Sequence, residues 1–153
     1  MNAQDSEAYR TAIRISDTLM LKADPHWSEG DDWVFKLQHG LFDEINIPGF
    51  GEETGLPIVD EWEVINLEGA VGNADSGLYP DNYNNLKRVL RTGYDINIQI
   101  YQEDQLGDGS DPLYDIGLNN FTSANTTVAS FTRVVTIHTR TGEYKRGNLQ
   151  VNV

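Results

Sequence analysis

Carboxylates are the most abundant chemistry in this chain. Between residues 103 and 118, Asp104, Asp108, Ser110, Asp111 and Asp115 bring oxygen donors close together, with Gly107 and Gly109 letting the backbone turn. A hard cation such as Ca²⁺ takes about six to eight oxygen ligands. Asp104, Asp108, Asp111 and Asp115 are therefore candidate Ca²⁺ ligands, and Ca²⁺ is the one cofactor the residues suggest. Their spacing departs from the EF-hand loop, which needs oxygens at alternate positions and a closing Glu. A solvated acidic loop fits the same residues. The pairs Asp31/Asp32 and Asp60/Glu61 raise glycoside hydrolysis, which needs two carboxyls at a set separation. Adjacency along the chain does not set that separation.

Other catalytic patterns are missing. His26, His39 and His138 fall in a loop, a helix and a strand, with no i, i+4 pair and no neighbouring nucleophile turn. Gly49-Phe50-Gly51 lacks the downstream lysine and the strand-to-helix setting of a phosphate-binding loop. With no cysteine there is no disulfide, thiolate metal site or cysteine nucleophile. No catalytic residue is assigned. Asn120-Phe121-Thr122 and Asn125-Thr126-Thr127 match the N-glycosylation acceptor pattern, so Asn120 and Asn125 are candidate glycosylation sites and favour an exterior location.

The elements that must carry these residues start with an amphipathic helix over residues 6–22. Ala8, Ala12, Ile15 and Leu19 form one apolar stripe, with Ser6 as N-cap and Asp24-Pro25 as the stop. Trp33, Val34, Leu37 and Leu41 predict a short helix bounded by Gly40. Residues 45–57 read as a loop, and residues 58–67 fit helical spacing. Asp81 is expected to cap a helix over 82–92 that Gly93 stops. Ile96, Ile98 and Ile100 alternate with polar residues, which predicts a strand with one wet face. Residues 128–139 and 143–153 give two more strands around the turn at 140–143. The fold class is α+β: an N-terminal amphipathic helix and further short helices packed on a C-terminal, meander-like antiparallel sheet of at least three strands.

At 153 residues the chain reads as one globular unit, 1–153. Eleven basic against 24 acidic residues give a net charge of -13, which argues against nucleic acid or an anionic lipid surface as a partner. No apolar run approaches the ~20 residues that span a bilayer, and no secretory signal is visible.

The order of these features resembles a known class. Ala12-Ile13-Arg14-Ile15-Ser16-Asp17-Thr18-Leu19, then Pro25-His26-Trp27 and Gly40-Leu41-Phe42, are similar to the region after the membrane helix in archaeal type IV pilin-like secreted proteins with a class III signal peptide. Residues 86–90 followed by Tyr94-Asp95-Ile96-Asn97-Ile98 resemble the class's helix and "tyrosine-aspartate-x-x-isoleucine" strand. Arg133-Val134-Val135 and residues 147–153 look like its final strands. The resemblance implies a pilin-like fold and a basic leader removed by a dedicated peptidase. It also implies an apolar helix that anchors the subunit and then packs with its neighbours.

The head would be displayed at the cell surface or outside the cell without catalysing anything. Its partners would be other pilin-like subunits or membrane-bound assembly components, with the membrane reached through the apolar helix. That apolar half is not in this sequence, so residues 6–22 are expected to be the lower part of a longer helix. The main expectation is a structural subunit. The alternative is an extracellular domain that binds glycan or protein through Trp27, Trp33, Trp62, Tyr79 and Tyr83. A small hydrolase using paired carboxylates is the third reading.

Overall fold

The computed structural model describes residues 3–23, 32–52, 56–72, 80–103, 105, 109, 111–118 and 129–153, with side chains of the first helix from Ser6 and of the fourth from Asp81. Among these residues the helices are α1 (Ala3–Leu19), α2 (Trp33–Gln38), α3 (Glu61–Val71) and α4 (Pro80–Val89), with a 3-10 turn at Phe42–Glu44. The strands are β1 (Ile58–Asp60), β2 (Asn97–Gln102), β3 (Tyr114–Gly117), β4 (Ser130–His138) and β5 (Tyr144–Asn152). They form one sheet in the order β1-β4-β5-β2-β3, in which β1 runs parallel to β4 and the other pairs are antiparallel.

The α+β class holds, and the expected sheet is extended and reordered. β5, the last strand, sits between β2 and β4, which a meander would not produce. β3 lies inside the stretch expected to be an acidic loop. Only Tyr114 and Ile116 alternate there with polar residues, too short a pattern to read as a strand. Residues 58–67 are a strand–helix junction rather than one helix. Asp60 marks the change, because its carboxylate accepts from the Trp62 N–H at 3.0 Å and caps α3.

The apolar stripe of α1 is as the spacing predicts: Ala8, Ala12, Ile15 and Leu19 are completely buried. Each fully buried Ile or Leu contributes about 1.5–3 kcal/mol. The helix lies on β4 and β5, with Tyr9 edge-on to Phe131 and Asp17 paired with Arg133. Its ends differ from expectation. Ser6 lies inside the helix rather than capping it, and the helix stops at Leu19, before Asp24-Pro25. The stop comes from the chain at Gly49-Phe50-Gly51, where the Phe50 N–H donates to the Leu19 carbonyl at 2.8 Å and the Gly51 N–H to Leu21 at 3.0 Å. A Cβ on Gly51 would sit 1.9 Å from the Met20 carbonyl oxygen, so only glycine permits this approach.

α4 begins at Pro80, so Asp81 sits in its first turn rather than at the cap. Gly93 does not end it. Arg91 does, with φ at 56°, as the Thr92 N–H reaches back to Lys87 and the Arg91 N–H to Arg88 in a Schellman arrangement. That position usually takes glycine, and a left-handed L-residue costs roughly 1–2 kcal/mol.

α3 touches both sheet edges, β1 and β3, so the sheet curls toward one helix. Its N-terminal Glu61 accepts from the Arg140 N–H at 2.9 Å, and Glu68 accepts from the Asp115 N–H at 2.8 Å. On the core side, Ile98, Ile116, Leu149, Val151, Val135 and Ile137 are buried together in one cluster. The opposite face is amide- and hydroxyl-rich, and one hydrogen-bonded row crosses four strands there. Ser130 donates to Asn152 (2.6 Å), Asn152 to Asn97 (3.0 Å), and Asn97 to Asp115 (2.6 Å).

Candidate functional site

The residues best placed for chemistry lie where β1, β4 and β5 end together. Parallel pairing sets Asp60 beside His138, and antiparallel pairing sets His138 opposite Tyr144. Val59 and Ile137 point into the core, so by strand alternation these three side chains share the other face. Glu52 arrives from the loop before β1, anchored by its N–H to the Ile58 carbonyl at 2.8 Å. Trp62 is added by the first turn of α3. Glu52, Asp60, Trp62, His138, Thr139 and Arg140 line a shallow cleft of about 420 Å³.

The His138 ring is fixed on two sides. Nδ1 contacts the Glu52 carboxylate, and the ring stacks on Tyr144 with centroids 4.4 Å apart and planes 6° from parallel. A carboxylate on one imidazole nitrogen orients the ring and leaves the other to face a ligand. Such a dyad can act as a base only toward a positioned nucleophile. Thr139 supplies the one hydroxyl lining the cleft among the described residues. Its oxygen is already engaged with Thr141 at 3.0 Å and with the Glu143 N–H at 3.0 Å. Trp62 is 57% exposed and Tyr144 60% exposed, so they flank the dyad as open ring faces. Flat rings beside carboxylates, imidazole and guanidinium suit stacking and hydrogen bonding to a polar ring or peptide.

One residue from Trp62, the Glu63 side chain is buried. Burial first, then a hydrogen bond with Asp32 and the charges of Asp32 and Asp60, push its pKa up to about 8. Glu63 is therefore protonated at neutral pH, and its Oε1 has no hydrogen-bond partner. A shared-proton carboxyl pair is a known catalytic device. Here the carboxylates around it are used in the fold. Asp32 accepts from the Val34 N–H at 2.8 Å to cap α2, and Asp60 caps α3. The pair joins two helix starts.

The predicted cation ligands are only partly within the described residues. Asp104 and Asp108 lie outside them, Asp111 is exposed, and Asp115 is half-buried on β3 with Asn97 donating to it. Burial raises the Asp115 pKa, while the hydrogen bonds from Asn97 and Gln99 lower it. Among the described residues no group of three or more His, Asp or Glu side chains is arranged to hold a metal. Asn120 and Asn125 lie outside the described residues, as do Trp27, Tyr79 and His26.

Of the aromatics expected to be exposed, Trp33 and Tyr83 are buried. The Trp33 Nε1–H donates to the Gly49 carbonyl at 2.8 Å, and the Tyr83 hydroxyl donates to Asp95 and accepts from the Ile96 N–H. Trp62 is the one of the five that is exposed among the described residues. His39 stacks on Phe35 at the end of α2, away from the cleft. The Glu52–His138 contact spans 86 positions and Asp32–Glu63 joins two separate helices, so no local spacing announces either. A histidine in an alternating strand, on the side opposite the apolar residues, was the available hint.

The geometry defines an α+β protein with a curled mixed sheet and an aromatic–carboxylate cleft at one end of its strands. The chain matches no family model, no curated protein and no solved structure. Among the described residues no helix is long and apolar enough to cross a membrane.

Proposed function

We propose that this chain is the displayed head of a non-catalytic, pilin-like structural subunit of an archaeal cell surface, anchored or assembled through an apolar helix continuous with α1. One observation supports this most: α1 lies along β4 and β5 on a completely buried stripe and is already helical at Ala3. An apolar segment upstream in helical register would extend it as a single rod. Burial of that segment against neighbouring subunits or in a bilayer would drive assembly. The partners are other pilin-like subunits or membrane-bound assembly components. The decisive experiment is to sequence the reading frame upstream of Met1 and fractionate the native protein. About 20 apolar residues directly before α1, with the protein in the envelope fraction, support the proposal. A stop codon or a charged segment at that place overturns it.

A second reading, an extracellular domain that binds glycan or protein, is favoured by the Trp62–His138–Tyr144 cluster. Its two open rings beside fixed polar groups need no catalytic step to be useful. A glycan and peptide array probed with the parent protein and Trp62→Ala tests it. Binding lost on truncation supports the reading, and no binding by the parent removes it.

A further inference from the structure

A groove of about 720 Å³ opens between the C-terminal ends of α1 and α4 and the segment 42–48. Arg14, Arg88 and Arg91 all line it. Carboxylates outnumber basic residues 24 to 11 in this chain, yet none of these guanidiniums has an ion-pair partner among the described residues. Asp43 also lines the groove and pairs with none of them. The arginines are arranged differently from one another. Arg14 donates to the Leu90 carbonyl at 2.7 Å and to Arg91 at 3.1 Å, closing the end of α4. Arg88 lies over the Phe42 ring, 4.5 Å from its centroid. Arg91 is exposed and held at φ 56°, where glycine is the ordinary choice. Leu21 and Ile47 add exposed apolar walls.

We propose that this groove receives an acidic peptide segment of a partner protein, one in which carboxylate side chains alternate with aliphatic ones. This inference stands apart from the proposed role of the chain as a surface subunit. An extended polyanion is a poor occupant, because the net charge of -13 opposes nucleic acid outside the groove. A lone phosphate is a poor occupant as well. The Arg14 guanidinium is committed to backbone carbonyls and that of Arg88 to a ring, so the charge is spread along an open groove instead of converging on one point. A peptide uses both parts of the surface. Its carboxylates meet Arg88 and Arg91, for which bidentate pairing is the strong geometry. Its aliphatic side chains cover Leu21, Ile47 and Phe42, and the volume lies within the range of recognition clefts.

The test is a titration of the ¹⁵N-labelled chain with a six-residue peptide alternating Leu and Glu, with its Leu/Gln counterpart, and with inorganic phosphate. The Leu/Glu peptide is expected to shift amides of Leu21, Phe42, Ile47 and Arg88. It should bind at least about tenfold more tightly than the Leu/Gln peptide at low salt and weaken as salt rises. The double variant Arg88→Glu/Arg91→Glu should lose about tenfold or more, and Ile47→Ser should lose severalfold with the charge unchanged. All three side chains are exposed, so melting curves matching the parent confirm that the variants fold. The proposal is overturned by equal binding of the two peptides, by shifts mapping elsewhere, or by no binding at millimolar peptide. It is also overturned if phosphate reproduces the arginine-dependent shifts as tightly as the peptide does, which would make the groove a small-anion site.

Discussion

Replacing Glu63 by Gln should stabilise the protein, and the gain should depend on pH. The carboxyl has an ordinary value of 4.5 and is pushed up to about 8 in the fold, first by burial and then by Asp32 and Asp60. Below 4.5 the group is protonated in both the folded and the unfolded chain, so it has no effect on stability. Between 4.5 and 8 the unfolded chain has released the proton that the fold retains. Stability then falls by about 1.4 kcal/mol for each pH unit. At pH 7 the loss is on the order of 3 kcal/mol, a large share of the ~5–15 kcal/mol that holds a typical domain. Glutamine has nearly the same shape, donates toward Asp32 as the protonated acid does, and does not ionise. For a chain of this length about 1 kcal/mol moves Tm by roughly 2–4 °C, so Glu63→Gln should raise Tm by about 6–12 °C at pH 7. Near pH 4.5 it should change almost nothing. Thermal melts followed by circular dichroism across pH 4.5–8 provide the check. Equal Tm differences at the two ends of that range would refute the reasoning, as would a variant no more stable than the parent at pH 7.

Other changes have equally definite outcomes. Arg91→Gly relieves the left-handed backbone position and should stabilise by about 1 kcal/mol in denaturant titrations, while weakening capture of the acidic peptide. Gly51→Ala drives a methyl group against the Met20 carbonyl and should cost at least about 2 kcal/mol by the same measurement, because the obstructing atoms are backbone. Trp62→Ala removes an exposed ring and should leave stability within about 0.5 kcal/mol, so any ligand lost with it was held at the surface. Glu68 and Asp115 are both raised by burial, so stability should also rise on mild acidification in Glu63→Gln, though less steeply than in the parent.

The sequence made the periodic elements readable and concealed the joints. The stripe of α1 and the alternation of β2 rest on long runs in which each residue repeats the same message, and both are present in the structure. β1 has three residues and β3 four, too few to show a period, and each is held by pairing with a strand far along the chain. Turn chemistry failed wherever a distant contact supplied the stop. Gly93 reads as the end of α4, but Arg14 reaches 77 positions to hold the chain two residues earlier, at Arg91. Gly49-Phe50-Gly51 carries no local sign of its role, although its glycines are needed for close backbone contact with the end of α1. The cleft was hidden for the same reason. Its imidazole and its carboxylate meet across 86 positions, and nothing local separates the exposed Trp62 from the buried Trp33.

Two local rules are broken within the described residues in ways the fold alone does not require. A buried glutamic acid with an unpartnered oxygen follows directly after Trp62, at the start of α3. An arginine occupies a backbone position suited to glycine at the end of α4. Each departure costs stability that a conservative substitution would recover, and natural chains keep such departures chiefly where something other than folding is served. The positions of the two are informative. Glu63 packs against Asp32 and Asp60, and so ties the start of α2 to the turn that presents Trp62 and Asp60 to the cleft. Arg91 places a charge on the rim of the groove that Arg14 and Arg88 also line. If function rather than accident maintains them, restoring stability at either position should weaken the surface it supports and leave the other unchanged. Measuring both surfaces in Glu63→Gln and in Arg91→Gly separates them. A loss at the wrong surface, or at neither, would mean that the strain at these positions is incidental.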